Sequence, residues 1–208
     1  MSPEIKRAEK KFTYGDYCTW PDDERWELID GVAFDMTPAP SRQHSLVQGA
    51  LQDILRPFFR GKPCEVHNAP FDVRLPKGQE ADELVDTVVQ PDLLVVCDEK
   101  KLDDKGCRGA PDLVIEILSP STSSRDHITK KYLYEKHGVK EFWIVSPADR
   151  RIIVYVLESA GRFGEAVIYS DIDIMKCSLF PGLGARIASE IIIETLEKNA
   201  ANSPNVAT

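Results

Sequence analysis

Two carboxylates interrupt the most apolar stretches of this sequence: Asp92 near the start of VVQPDLLVVCD, and Glu116 near the end of PDLVIEILS. An unpartnered carboxylate inside such a run costs several kcal/mol even after relaxation, so each acid needs a compensating partner. If the two runs pair as antiparallel strands, the start of one neighbours the end of the next and the acids converge. A divalent cation would then serve both at once. Mg2+ takes hard oxygen ligands, typically one or two protein carboxylates completed by water and phosphate. Such an ion polarises a phosphodiester and lowers the pKa of an attacking water. In the plainer alternative, Asp92 caps a loop after Pro91 and Glu116 pairs with a core Lys or Arg. Two such acids in neighbouring apolar strands weigh toward the metal.

Hydrolysis of a phosphodiester also needs a cation against the developing negative charge. The segment after Ser121-Thr122 offers Lys130 and Lys131. Asp126, Lys130 and Tyr134 are four apart and share one helix face. Spacing alone slightly favours a surface pair between Asp126 and Lys130. The helix begins directly after the Glu116 run, however, which keeps Lys130 within reach of that carboxylate.

The elements that must position these groups follow from pattern. ERWELIDGVAFDM alternates around Asp30-Gly31, a dipeptide suited to a type I′ hairpin turn. Ser41 caps a predicted helix running to about Arg60, with Val47, Ala50, Leu51, Ile54, Leu55, Phe58 and Phe59 among its apolar stripe. Residues 64–67 and 71–75 read as strands, 77–87 as an acidic loop and 99–109 as a polar loop between the two apolar runs. Those runs read as interior strands covered on both faces. A helix over 124–137, ended by Gly138, separates them from EFWIVSP and RRIIVYVLES, paired through a turn at 147–150. A weaker strand falls in 164–176 and a final helix over 185–196. The order of helix, three strands, helix, strand predicts an α/β or α+β architecture. Residues 1–11 and 197–208 read as loose tails around one domain, 12–196.

Composition narrows the class. With 208 residues, 42% hydrophobic and 29% charged, the chain reads as one soluble globular domain. It has no apolar run of about 18 residues and no signal-like h-region, so a cytoplasmic, non-membrane protein is expected. The five cysteines are scattered without a CxxC pair, and the expectation is that they are reduced and mostly buried. A net charge of −8 argues against a sequence-independent nucleic-acid binder, although catalytic acids contribute to that total. DNA contact would use local basic clusters: Arg56, Arg60 and Lys62, or Lys130, Lys131, Lys136 and Lys140. No helix-turn-helix or zinc finger is apparent.

The ordered strings ERWELIDGVAFDMTPAPSRQHSLV, VVQPDLLVV, GAPDLVIEILSPSTSSRD, KKYLYEKHGVKEFWIVSP and LFPGL resemble the Uma2-like bacterial family of restriction-endonuclease-like proteins, within the PD-(D/E)XK nuclease superfamily. The resemblance spans residues 12–196. It implies a restriction-endonuclease-like αβββαβ core with an N-terminal β-hairpin and extra C-terminal strands. Pro91-Asp92 resembles the PD element and Glu116 the second acid. The lysine usual two residues after that acid is Leu118 here, and the resemblance transfers its role to Lys130. Glu27 matches a further family acid that would complete a metal shell or position water. His44 is also typical of the family, as a structural or catalytic residue. Gln90 corresponds to a polar neighbour that would bind phosphate or a metal-bound water, and Tyr134 would pack against or orient Lys130. The implied activity is Mg2+- or Mn2+-dependent DNA endonuclease cleavage, with Asp92, Glu116 and the Ile117 carbonyl on the metal, and a homodimer suits cutting of both strands. A nuclease fold that binds or regulates with little hydrolysis is the alternative, supported by Leu118 and the negative charge.

Overall fold

The computed structural model describes residues 10–21, 23–36, 39–118, 124–170 and 173–183. The predicted caps at 119–122, the helix over 185–196, and most of the N-terminal and all of the C-terminal tail lie outside these residues. In chain order the elements are α1 (Tyr14–Tyr17), β1 (Trp26–Ile29), β2 (Val32–Asp35), α2 (Arg42–Phe59), β3 (Glu65–Asn68), β4 (Val73–Arg74), β5 (Val88–Val89) and β6 (Leu93–Val96). They continue with β7 (Leu102–Asp103), β8 (Gly106–Arg108), β9 (Leu113–Ile117), α3 (Ser124–His137), β10 (Glu141–Ser146), β11 (Arg151–Val156) and β12 (Val167–Ser170). They form two six-stranded sheets, ordered β2-β1-β5-β4-β8-β7 and β12-β11-β10-β9-β6-β3.

The second sheet carries the expected core. Helix α2 precedes β3, β6 and β9, which pair antiparallel, and α3 then crosses over to bring β10 parallel to β9. That is the αβββαβ order, extended by the antiparallel strands β11 and β12. Ser41 Oγ accepts from the His44 amide at 3.2 Å and sets the start of α2. The buried stripe Val47, Leu51, Ile54, Leu55 and Phe59 packs on Leu93, Val95, Leu113, Ile115 and Ile117. The alternate residues Leu94, Val96, Val114 and Ile144 meet Leu133 and Tyr134 of α3, together with Val73 and Val89 of the first sheet and Leu75 just after β4. Both faces of β6 and β9 are therefore covered, which is why their sequences are continuously apolar. The N-terminal hairpin turns where predicted, with positive φ at Asp30 (48°) and Gly31 (82°).

Four expectations are corrected. The run VVQPDLLVVCD is two strands in two sheets: β5 pairs with β1 and β4, β6 with β3 and β9, and Gln90-Pro91-Asp92 makes the crossing. Pro91 has no N–H to give a central ladder, so the strand breaks there. The strand expected over 71–75 shrinks to Val73–Arg74. The loop over 99–109 contains the β7–β8 hairpin, with Leu102 facing Cys107. The cysteines are not all reduced: Cys64 and Cys97 form a disulfide next to the Glu65–Val96 register pair, and Cys18 is exposed, while Cys107 and Cys177 are free and buried.

Candidate active site

The register of β6 on β9, Leu93 facing Ile115, carries Asp92 to the level of Glu116 and Ile117. The Ile117 amide donates to Asp92 Oδ2 at 2.7 Å. His44 Nε2, in the first turn of α2, lies 3.0 Å from Asp92 Oδ1, and Gln48 Nε2 one turn later donates to the Asp92 carbonyl at 2.9 Å. The capped start of α2 thus fixes Asp92 from one side while β9 fixes it from the other. Ile117, expected to offer its carbonyl, meets Asp92 through its amide.

Glu116 shares the strand face of Leu118, whose side chain packs partly buried into the core beside α3. The position where a lysine was expected is thus filled by packing. The cation arrives instead from α3: Lys130 Nζ donates to Glu116 Oε1 at 2.9 Å and to Glu27 Oε1 at 3.0 Å. Tyr134, one turn on and fully buried, donates its hydroxyl to Glu116 Oε1 at 2.6 Å. Tyr134 therefore holds Glu116 through the same oxygen that Lys130 meets. Lys130 is engaged with acids of two distant elements; the side chain of Asp126, with which spacing favoured a surface pair, lies outside what is described.

Glu27 belongs to β1 of the first sheet, so the cluster closes across the two sheets. The amide of Gln90 donates to Glu27 Oε1 at 2.9 Å. The Gln90 side chain accepts from Arg25 at 2.9 Å and donates to Asp72 at 2.9 Å and to the Tyr17 hydroxyl at 3.1 Å. Tyr17 in turn donates to Asp72 at 3.0 Å. Tyr17, Arg25 and Asp72 were not singled out from sequence. Arg25 carried a signal: it stands two residues before Glu27, and alternate residues share a strand face.

The electrostatics follow from burial and crowding. Burial pushes the Glu116 carboxyl up to about 7; Lys130 and Tyr134 pull it down, whereas Asp92 and Glu27 add to the rise. Burial opposes the Lys130 charge, but Glu116 and Glu27 outweigh it and hold the ammonium above its ordinary range. Burial and the same carboxylates raise the Tyr134 hydroxyl, so it stays a donor. Asp72 is raised by burial despite its bonds to Gln90 and Tyr17. Glu27, Asp92 and Glu116 thus crowd around the Lys130 ammonium, with carboxyl groups in excess of that one charge.

That surplus fits a divalent ion. Each carboxylate oxygen has capacity for more than one donor or ion, and both contacts that Glu116 makes with described residues fall on Oε1. Among the described residues no three His, Cys, Asp or Glu side chains form a cage for a metal alone. An ion here would complete its shell with water and phosphate oxygen, as Mg2+ usually does.

Most of the expected basic clusters are already engaged. Arg56 donates to Asn68, Lys62 lies over Phe58, Lys131 over Tyr155, Lys136 bonds Asp30 and Lys140 bonds Asp112. No described helix is long and apolar enough to cross a membrane.

The αβββαβ sheet, with its acids meeting a lysine at the crossing of two sheets, defines a nuclease-like α+β fold. The chain belongs to the Uma2 family, described as "Putative restriction endonuclease", whose match covers residues 14–188. It is 26% identical over 148 residues to "Uncharacterized protein slr1290" of Synechocystis sp. (strain ATCC 27184 / PCC 6803 / Kazusa), spanning 70% of this chain and 74% of that one. Its fold is similar to the crystal structure of "a putative nuclease belonging to DUF820" from Anabaena variabilis ATCC 29413. That match has a TM-score of 0.65 and 18% identity, over 88% of this chain and 99% of the other.

Proposed function

We infer that this chain is a divalent-metal-dependent phosphodiesterase acting on DNA, with Asp92 and Glu116 as the metal-binding acids. The observation that carries the reading is the meeting of Asp92, Glu116, Glu27 and Lys130 in one buried, acid-rich cluster. When bound, Mg2+ or Mn2+ supplies Lewis acidity toward the phosphate and the charge that lets neighbouring acids stay ionised. His44 and the Ile117 amide hold Asp92 in place, and the Ile117 carbonyl is a further candidate ligand. Among the described residues Lys130 uses two of its three N–H bonds, on Glu116 and Glu27, and the third is the candidate donor to a water or a phosphate oxygen. Glu27, fixed by the Gln90 amide, is the acid placed to orient that water.

Purified protein incubated with supercoiled plasmid and Mg2+ or Mn2+ should nick or linearise it, and Asp92→Ala and Glu116→Gln should each abolish the cutting. Cleavage that survives Asp92→Ala would remove this mechanism. A second reading, a catalytically silent nucleic-acid-binding or regulatory protein, is favoured by one observation: Lys130 is held by two carboxylates and Asp92 by His44 and Ile117. Calorimetry with Mn2+ separates the two, since the enzyme reading requires binding that disappears in Glu116→Gln. Two copies of the site suit cutting of both strands of a duplex, and sedimentation tests for the dimer.

A further inference from the structure

The carboxylate cluster poses a problem for its own substrate. A phosphodiester entering a site with surplus negative charge must be met by a cation whose charge is not already spent. Lys130 lies on Glu27 and Glu116, and His44 on Asp92. Lys136 and Lys140 are paired with Asp30 and Asp112. Arg25 is different. It is half-buried, its NH2 group donates to the neutral amide oxygen of Gln90, and among the described residues it has no carboxylate partner. Its Nε is buried and has no hydrogen-bond partner.

The position of Arg25 follows from β1. Arg25 immediately precedes β1, two residues before Glu27, and both side chains reach Gln90. Gln90 bridges them, with its amide on Glu27 and its side-chain oxygen on Arg25. Gln90 is itself pinned by Asp72 and Tyr17, so the guanidinium is held by a buttressed side chain two residues from Asp92. A guanidinium presents several donors in a planar fork that matches two phosphate oxygens.

We propose that Arg25 is the phosphate-binding cation of this site, engaging a phosphodiester oxygen of a nucleic-acid strand while Gln90 sets its orientation. The proposal rests on the nuclease reading and adds a residue to it. Binding of a fluorescently labelled DNA duplex is measured by anisotropy over a series of KCl concentrations with Ca2+ present, alongside steady-state cleavage with Mg2+. Arg25→Gln keeps an amide donor for Gln90 and is the principal variant; Arg25→Lys keeps only the charge. Arg25→Gln is expected to weaken binding about ten- to hundred-fold, as loss of a charged hydrogen bond implies. It should also lower the slope of log affinity against log salt by about one, and Arg25→Lys should restore that slope but only part of the affinity. Wild-type cleavage with an unchanged slope and affinity in Arg25→Gln overturns the role of Arg25 and leaves the nuclease reading standing. Absence of both binding and cleavage in the wild type overturns the two together. A variant that loses cleavage while keeping the wild-type salt slope makes Arg25 only a support for Gln90, and overturns the proposal.

Discussion

Replacing Lys130 by Met removes the ammonium that two buried acids share while keeping most of its aliphatic bulk. The side chains involved are only 14% exposed for Lys130, 7% for Glu27 and 9% for Glu116, so solvent cannot take over its role. Removing one partner of a buried ion pair typically costs about 3–5 kcal/mol, because an uncompensated charge stays behind. Glu116 offers partial relief, since its carboxyl already lies at about 7 and would rise further without Lys130. The loss should therefore approach about 4 kcal/mol at about pH 8 and shrink by a kcal/mol or more at about pH 5.5, where Glu116 is neutral. Urea unfolding followed by the emission of the buried Trp143 measures both values. Adding Glu116→Gln should recover part of the loss at the higher pH, with a coupling above about 1 kcal/mol. A loss below about 1 kcal/mol, equal at both pH values, would refute the claim that Lys130 neutralises these acids.

Glu116 itself sets a pH dependence in metal-free protein. Its folded pKa is raised from 4.5 to about 7, so the folded state binds the proton more tightly. The stability from this group is full below about pH 4.5 and is lost as pH rises through about 7; in Glu116→Gln the urea midpoint should change less over that window. Tyr134→Phe deletes the 2.6 Å donor to Glu116 and should cost about 2 kcal/mol at about pH 8, read from the same unfolding curves. The disulfide between Cys64 and Cys97 closes a span of 33 residues. Dithiothreitol, or the Cys64→Ser/Cys97→Ser double variant, should each lower stability by about 2–4 kcal/mol. A midpoint that does not respond to the reductant would show that the bond is not made.

The parts of the site legible in the sequence were those whose residue type contradicts its surroundings. Asp92 and Glu116 stood out because acids are costly in apolar runs, and antiparallel pairing was enough to bring them together. Lys130 was weaker: helical spacing pointed to a surface pair with Asp126, and it was set against Glu116 by the start of its helix directly after that strand and by its likeness to the family lysine. Of the Tyr17–Asp72–Gln90–Arg25 network only Gln90 was singled out, through the family resemblance; the other three look like ordinary polar residues until two sheets bring them into contact. The fold was read well where periodicity was long, as in α2, and poorly where one apolar run serves two sheets. Only Pro91 marks the division inside VVQPDLLVVCD, and the disulfide left no signal because β3 and β6 become neighbours only on folding.

The crossing at Gln90–Asp92 means that no single sheet owns the site. Asp92 and Glu116 ride on one layer, Arg25 and Glu27 on the other, and Lys130 spans the seam from α3. A slip between the layers too small to break any ladder would separate the lysine from one of its acids. On the nuclease reading, competence for cleavage therefore depends on how the layers are docked, and heating would silence it while the strands remain intact.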